Sequence, residues 1–211
     1  MNRILFITGT DTGVGKTVLT ALLARWLRKR GVNAAALKPI GSGGRGDARI
    51  LRSALDGALM LDEINPWHFH TPIAPVLAAR HEHQRVGQAE VLAHVRAMQK
   101  RFAVVLVEGA GGLLSPLGEK FDSRDLIVAL DAIPIVVCPD RLGAVNQVLL
   151  TLEVLPEKIR AQELEQNTIA LASAAGIKNL DPFRQRLECY KNRQPWRESF
   201  RLTNAPAKSQ N

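Results

Sequence analysis

A doubly wound α/β domain built on a mostly parallel sheet is the fold class that this 211-residue sequence predicts. Three observations point there. Short, mainly apolar runs such as Ile4–Thr8 and Ala103–Val107 read as strands buried on both faces. Amphipathic helical patterns alternate with them. The runs also break into glycine-rich turns at their carboxyl ends, where ligands of open α/β sheets gather. No internal repeat and no linker divides the sequence, so one domain over residues 1–211 is expected, large enough to bury about 70% of its unfolded surface.

The first strand, Ile4–Thr8, runs into Gly9-Thr10-Asp11-Thr12-Gly13-Val14-Gly15-Lys16-Thr17. This has the composition of a phosphate cradle. Gly13 and Gly15 let the backbone curl until successive N–H groups point at one spot, and the positive end of the following helix adds to them. Lys16 can then reach the outer phosphates of a nucleotide, and the Thr17 hydroxyl suits a Mg²⁺ riding on them. The spacing is one residue longer than the usual G-x-x-x-x-G-K-S/T, because Gly9 stands six before Gly15. The strand, loop and helix together point to the P-loop nucleoside triphosphate hydrolase type of sheet.

In the first helix Leu19, Leu22, Leu23, Trp26 and Leu27 are expected to form one core-facing stripe, Trp26 included. Arg25, Arg28, Lys29 and Arg30 crowd its last turn before Gly31, where cations complement the helix dipole. Asn33–Leu37 reads as a second strand. Proline keeps its predecessor out of the α region, so Lys38, before Pro39, should sit extended at that strand's carboxyl end. Gly41–Gly46 is expected to be a mobile loop leading to the helical pattern of Ile50, Leu51, Ala54 and Leu55. Asp47 has two readings there, as the N-cap of that helix or as a Mg²⁺ ligand.

Pro66–Pro75 reads as an irregular, proline-stiffened connection before a helix beginning near Val76. His68, His70, His81 and His83 are two apart within each pair and lack acidic or cysteine partners nearby, which favours surface histidines over a zinc site. Glu90–Phe102 has helical spacing at Val91, Leu92, Val95 and Met98. The most apolar strand, Ala103–Val107, ends in Glu108-Gly109-Ala110-Gly111-Gly112. A carboxylate at the end of a buried strand needs a charge partner. Mg²⁺ is one reading for Glu108 and a core Lys or Arg is another, and the glycines after it are expected to leave N–H groups free near phosphate.

Asp122–Leu130 reads as a further helix and Ile133–Cys138 as a buried strand with Cys138 packed as a small apolar residue. The helix Ala144–Leu155 follows, and its amino end is a second candidate anion site. After Leu155 the pattern weakens: Thr168–Ala172 is a candidate strand, Asp181–Tyr190 a candidate helix, and residues 197–211 read as a frayed polar tail.

The charge of +8 and pI near 10.0 raise the question of nucleic acid. Aromatic residues are few and not interleaved with the basic ones, so no nucleic-acid partner is expected, and the charge serves anionic nucleotide and carboxylate substrates. The two cysteines, Cys138 and Cys189, have no metal or redox spacing, which argues for a reducing cytoplasm. The apolar run from Met1 to Ile7 is too short for a signal peptide, and no membrane association is expected.

Taken together, the long phosphate loop, Lys38-Pro39 with Ser42, and Glu108-Gly109-Ala110-Gly111-Gly112 resemble the dethiobiotin synthetase family over roughly residues 2–155. The resemblance implies ATP-dependent closure of a cyclic urea from 7,8-diaminopelargonate and CO₂, by a homodimer. It implies that Gly13, Val14, Gly15, Lys16, Thr17, Val18, Gly109, Ala110 and Gly111 bind nucleotide, with Thr17, Asp47 and Glu108 around Mg²⁺. Lys38 matches the family's active-site lysine and acts beside Lys16. Thr12 and Ser42 would touch the substrate, and Gly143 and Asn146 would receive its carboxylate across a dimer interface. The loop between Ser42 and Asp47 is shorter than in typical relatives, so the match at Asp47 depends on where the gap is placed. The family's base-binding asparagine and carboxyl-terminal proline loop have no clear counterpart, Asn167 and Pro195-Trp196 being only faint echoes. Rival readings are a partner-regulated ATPase of the ParA/MinD kind, which carries a second lysine where this chain has Thr10-Asp11, and a non-catalytic nucleotide-binding relative.

Overall fold

The computed structural model describes residues 3–156. Its centre is a four-stranded parallel sheet in the order β2-β5-β1-β8, formed by β1 (Arg3–Gly9), β2 (Ala34–Leu37), β5 (Val104–Glu108) and β8 (Ile133–Val137). β1 is flanked by β5 and β8, which explains its mainly apolar sequence: Phe6 and Ile7 are fully buried. The crossovers are helical, as parallel strands require. α1 (Lys16–Lys29) packs on β2, β5 and β1, and α2 (Gly46–Ala54) on α1 and β2. α5 (Gln88–Arg101) and α6 (Ser123–Leu130) pack together, on β5 and β1 respectively, and α7 (Ala144–Val154) follows β8. The core gathers Phe6, Ile7, Leu37, Val95, Leu106 and Ile127.

The strands and long helices fall where the sequence places them, within a residue or two at their ends. Met98 is buried as expected. Asp122 is the N-cap of α6, its carboxylate accepting the Asp125 N–H while Asp125 reaches back to the Asp122 N–H.

Four expectations are corrected. The face of α1 turned to the sheet carries Lys16, Thr20, Ala21 and Ala24, with Leu19, Leu23 and Leu27 half-buried. Leu22 is 61% exposed, and Trp26 lies outside the core with the Arg30 guanidinium 3.8 Å from its ring centroid. Small residues let this helix approach the sheet closely behind the phosphate loop, so the large apolar residues rotate outward. Gly41 and Ser42 are not loop: β3 (Ile40–Ser42) pairs in parallel with β4 (Trp67–Phe69), which also gives order to the segment read as an irregular connection. A helical turn, α3 (Leu61–Ile64), precedes β4, and α4 (Pro75–His81) follows it. β8 is only half-buried and Cys138 beyond it is exposed, because among the described residues β8 is an edge strand, as its Pro134 suits, and lacks the cover that α1, α2 and α3 give to the other edge strand, β2. A short antiparallel pair, β6 (Pro116–Gly118) with β7 (Phe121–Asp122), gave no sequence signal. No described helix is long and apolar enough to cross a membrane. The strand, helix and tail expected after residue 156, together with Asn167 and Pro195-Trp196, lie outside the described residues.

Candidate active site

The carboxyl ends of β1, β2 and β5 open on one cleft of about 770 Å³. At the end of β1, Gly13 and Gly15 both have positive φ, +73° and +99°, which turns the loop back on itself before Lys16 starts α1. A Cβ at Gly9 would lie 2.7 Å from Val14 Cγ2 and 3.2 Å from the Val137 carbonyl, so glycine fits the start of the loop. Lys16 is buried to 6% exposure, and its Nζ donates to the Asp11 carbonyl at 2.8 Å. Burial first, and then the neighbouring Lys38 cation, hold its pKa below the ordinary lysine value.

β2 delivers Lys38 and β5 delivers Glu108. Lys38 Nζ lies 3.0 Å from Glu108 Oε1 and also donates to Asp47, in the first turn of α2. The Thr17 hydroxyl donates to the same Glu108 oxygen at 2.6 Å. Burial alone would lower the Lys38 pKa, but the combined pull of Glu108 and Asp47 outweighs it and holds the ammonium above its ordinary range. The Glu108 side chain is completely buried, and its second oxygen, Oε2, has no hydrogen-bond partner among the described residues. A buried anionic oxygen without a donor is costly, so this atom fits a bound cation.

Asp47 caps nothing; Arg45 occupies the N-cap position of α2. Both sequence readings of Glu108 therefore meet in one place, because the lysine that pairs with it is the lysine expected in the reaction site. Asp47, Glu108 and the Thr17 hydroxyl form a hard oxygen donor set suited to Mg²⁺.

Of the other residues singled out by sequence, Thr12, Gly13, Gly15, Val18 and Ser42 line the cleft, as do Ala110 and Gly111. The Ser42 hydroxyl donates to the Ile73 carbonyl at 2.5 Å, tying down the loop that forms the far wall. Val14 and Gly109 do not line the cleft. The Gly109 N–H is not free for phosphate: it donates to the Ile7 carbonyl at 2.9 Å, and the Gly112 N–H donates to Ser115 Oγ at 2.8 Å. Glycine is required at 109 for packing, because a Cβ would sit 2.7 Å from Ser123 Oγ and 3.1 Å from the Phe6 ring. Gly143 and Asn146, at the start of α7, are exposed and outside the cleft wall.

Arg45 and Asn65 line the cleft without having been singled out by sequence, and His68, expected as a surface histidine, is half-buried in the cleft wall. Their partners are mostly backbone carbonyls distant in sequence, as in the 2.6 Å contact of His68 Nε2 with the Gly43 oxygen, and Arg45 also pairs with the Asp62 carboxylate. Among the described residues no three His, Cys, Asp or Glu side chains gather as a separate metal cluster.

A parallel sheet with a glycine loop, a buried lysine and an acidic strand end around one cleft defines a nucleotide-binding protein of the P-loop class. In agreement, the family described as AAA domain matches residues 3–174. Curated relatives are more specific. The chain is 44% identical over 176 residues to the ATP-dependent dethiobiotin synthetase BioD of Anaeromyxobacter sp. (strain Fw109-5), covering 82% of this chain and 77% of that one. It is 36% identical to the protein of the same name from Methanococcus vannielii and 37% identical to that from Methanocaldococcus jannaschii, covering 74% of both chains in each comparison. The chain belongs to the dethiobiotin synthetase family.

Proposed function

We infer that this chain is an ATP-dependent dethiobiotin synthetase, which closes the ureido ring of dethiobiotin from 7,8-diaminopelargonate and CO₂ with release of ADP and phosphate. The observation that carries the reading is the convergence of Lys16, Lys38 and Glu108 on one cleft beside the phosphate loop. One substrate amine bonds to CO₂ and loses a proton, giving a carbamate. A carbamate oxygen attacks the γ-phosphorus and ADP leaves. The second amine attacks the carbonyl carbon of the mixed anhydride, phosphate leaves with the bonding electrons, and the ring closes with loss of a proton.

The protein's part is to bring two anions together. The loop from Gly9 to Thr17 cradles the triphosphate, and Lys16 faces its outer oxygens. Lys38 lies where the carbamate meets the transferring phosphoryl group and offsets the charge of both. Thr17, Asp47 and Glu108 would hold Mg²⁺, which when bound supplies charge neutralisation on the phosphates. The unpartnered Glu108 Oε2 supports this assignment. Thr12 and Ser42 are proposed to bound the diamine subsite. Gly143 and Asn146 are proposed to take the substrate carboxylate across a homodimer interface, a reading supported by the exposed apolar Leu142, Val145 and Leu150 beside them. Two cysteines without redox spacing support a cytoplasmic setting.

Phosphate release from ATP, measured with and without diaminopelargonate and bicarbonate, tests the reading. Release should require both. Turnover that ignores them and rises with a protein or DNA partner would instead favour a ParA/MinD-like ATPase.

A further inference from the structure

Lys38 is placed by its backbone as well as by its ion pairs. Its N–H donates to the Ile64 carbonyl at 2.9 Å, and the next residue, Asn65, which ends the helical turn α3, turns back toward it. Asn65 is 2% exposed. Its side-chain amide donates to the Lys38 carbonyl at 2.8 Å and reaches the Pro39 carbonyl at 3.4 Å. Both partners are acceptors, which fixes the amide nitrogen toward them. Gly41 faces the same amide, and a Cβ there would stand 3.3 Å from Nδ2. The carbonyl of Asn65 in turn accepts from an Arg45 guanidinium nitrogen at 2.7 Å, and the same nitrogen binds Asp62 at 2.7 Å and the Leu61 carbonyl at 3.2 Å. Arg45 stands two residues before Asp47. One buried asparagine therefore holds the carrier of Lys38 with its side chain and the carrier of Asp47 with its main chain.

We propose that Asn65 is a positioning residue for the reaction, setting where the Lys38 ammonium stands relative to Asp47 by clamping the Lys38 and Pro39 carbonyls. This rests on the role given to Lys38 above. Truncating the amide leaves two carbonyls without their donor and lets the Lys38–Pro39 turn drift, while the phosphate loop, which Asn65 does not touch, keeps its shape. A displacement on the order of an ångström at a charged group costs up to about 100-fold in rate.

The test compares wild type with Asn65→Ala, assayed well below the melting temperature of each. Turnover number should fall roughly 10- to 100-fold with KM for ATP little changed. Reductive methylation followed by peptide mass spectrometry should show the Lys38-to-Lys16 labelling ratio rising, because only Lys38 is unseated. Gly41→Ala should reproduce part of both effects by pushing the amide aside, and should add little in the Asn65→Ala background. An unchanged labelling ratio overturns the proposal, as does a raised ratio with normal turnover, or labelling that rises equally at both lysines. The labelling needs no turnover, so a wild-type chain inert toward diaminopelargonate would sink the functional reading while the ratio still decided the place of Asn65.

Discussion

Lys38→Met, which keeps the side-chain stem and removes the charge, separates what this lysine does for the fold from what it does for the reaction. In the wild-type chain Lys38 is 13% exposed and Glu108 is completely buried, 3.0 Å apart. At that distance and an effective dielectric near 20 the attraction is about 5.5 kcal/mol before desolvation. The Asp47 side chain is 46% exposed, so its share is smaller. Removing one partner of a buried pair costs roughly 3–5 kcal/mol, because the other charge stays buried and unpaired. Taking about 3 kcal/mol, the melting temperature should drop by roughly 6–12 °C for a chain of this size. The drop should be largest in chelator and should shrink when millimolar Mg²⁺ is added, because the donor set of Thr17, Asp47 and Glu108 can then accept a cation in place of the ammonium. Turnover should fall about 10²- to 10³-fold even in Mg²⁺, with ATP binding far less affected. Scanning fluorimetry in chelator and in Mg²⁺, with phosphate-release kinetics on the same samples, reads both. A variant that melts with wild type in chelator and turns over normally refutes the assignment of Lys38 as the counter-charge of Glu108.

Thr17→Val removes the hydroxyl that donates to Glu108 Oε1. It should destabilise by about 1 kcal/mol and raise the Mg²⁺ concentration needed for half-maximal turnover by at least about tenfold. Gly109→Ala forces a methyl against Ser123 and Phe6 and should cost roughly 1–3 kcal/mol by denaturant unfolding, whereas Gly44→Ala, which meets open space, should stay within about 0.5 kcal/mol of wild type. His94, held by its Nε2 contact with the Glu63 carbonyl and packed edge-on against Trp67, has its pKa lowered first by burial and further by Arg101, with Glu63 opposing. Its unfolded form therefore takes up a proton before its folded form does. Its contribution to stability is unaffected well above its ordinary value of 6.5, begins to be lost as pH falls through that value, and is fully lost below the folded pKa. Wild type should thus lose melting temperature below pH 6.5 more steeply than His94→Gln, and parallel curves would contradict this.

The parts of the site that sequence made legible are those whose chemistry is local. The phosphate loop needs glycine at fixed spacings, Lys38 is fixed by the proline after it, and Glu108 is an anomaly at the end of an apolar strand. Each can be argued within ten residues. Asn65 and Arg45 resisted because their contacts reach 16 to 27 residues along the chain: those to carbonyl oxygens leave no trace in residue identity, and the Arg45–Asp62 ion pair joins residues too far apart to form a local motif. The misplaced stripe of α1 has another cause. Periodicity counts large apolar residues, but the face that meets the sheet is chosen by how closely the backbone must approach, and Ala21 and Ala24 allow that where Leu22 and Trp26 do not. Gly41 looked like loop composition, but its missing side chain makes room for a buried amide in a parallel strand pair.

The four ionised groups at the heart of the cleft, Lys16, Lys38, Asp47 and Glu108, sum to zero, and the further cation on its wall, Arg45, is paired with Asp62. A polyphosphate approaching from solution feels almost no net field from them until it is within bonding range. Long-range guidance must come from the chain's overall excess of +8, which ordinary salt screens beyond about 8 Å. Capture and retention thus have separate physical origins: raising ionic strength should slow the arrival of nucleotide while leaving its departure nearly constant.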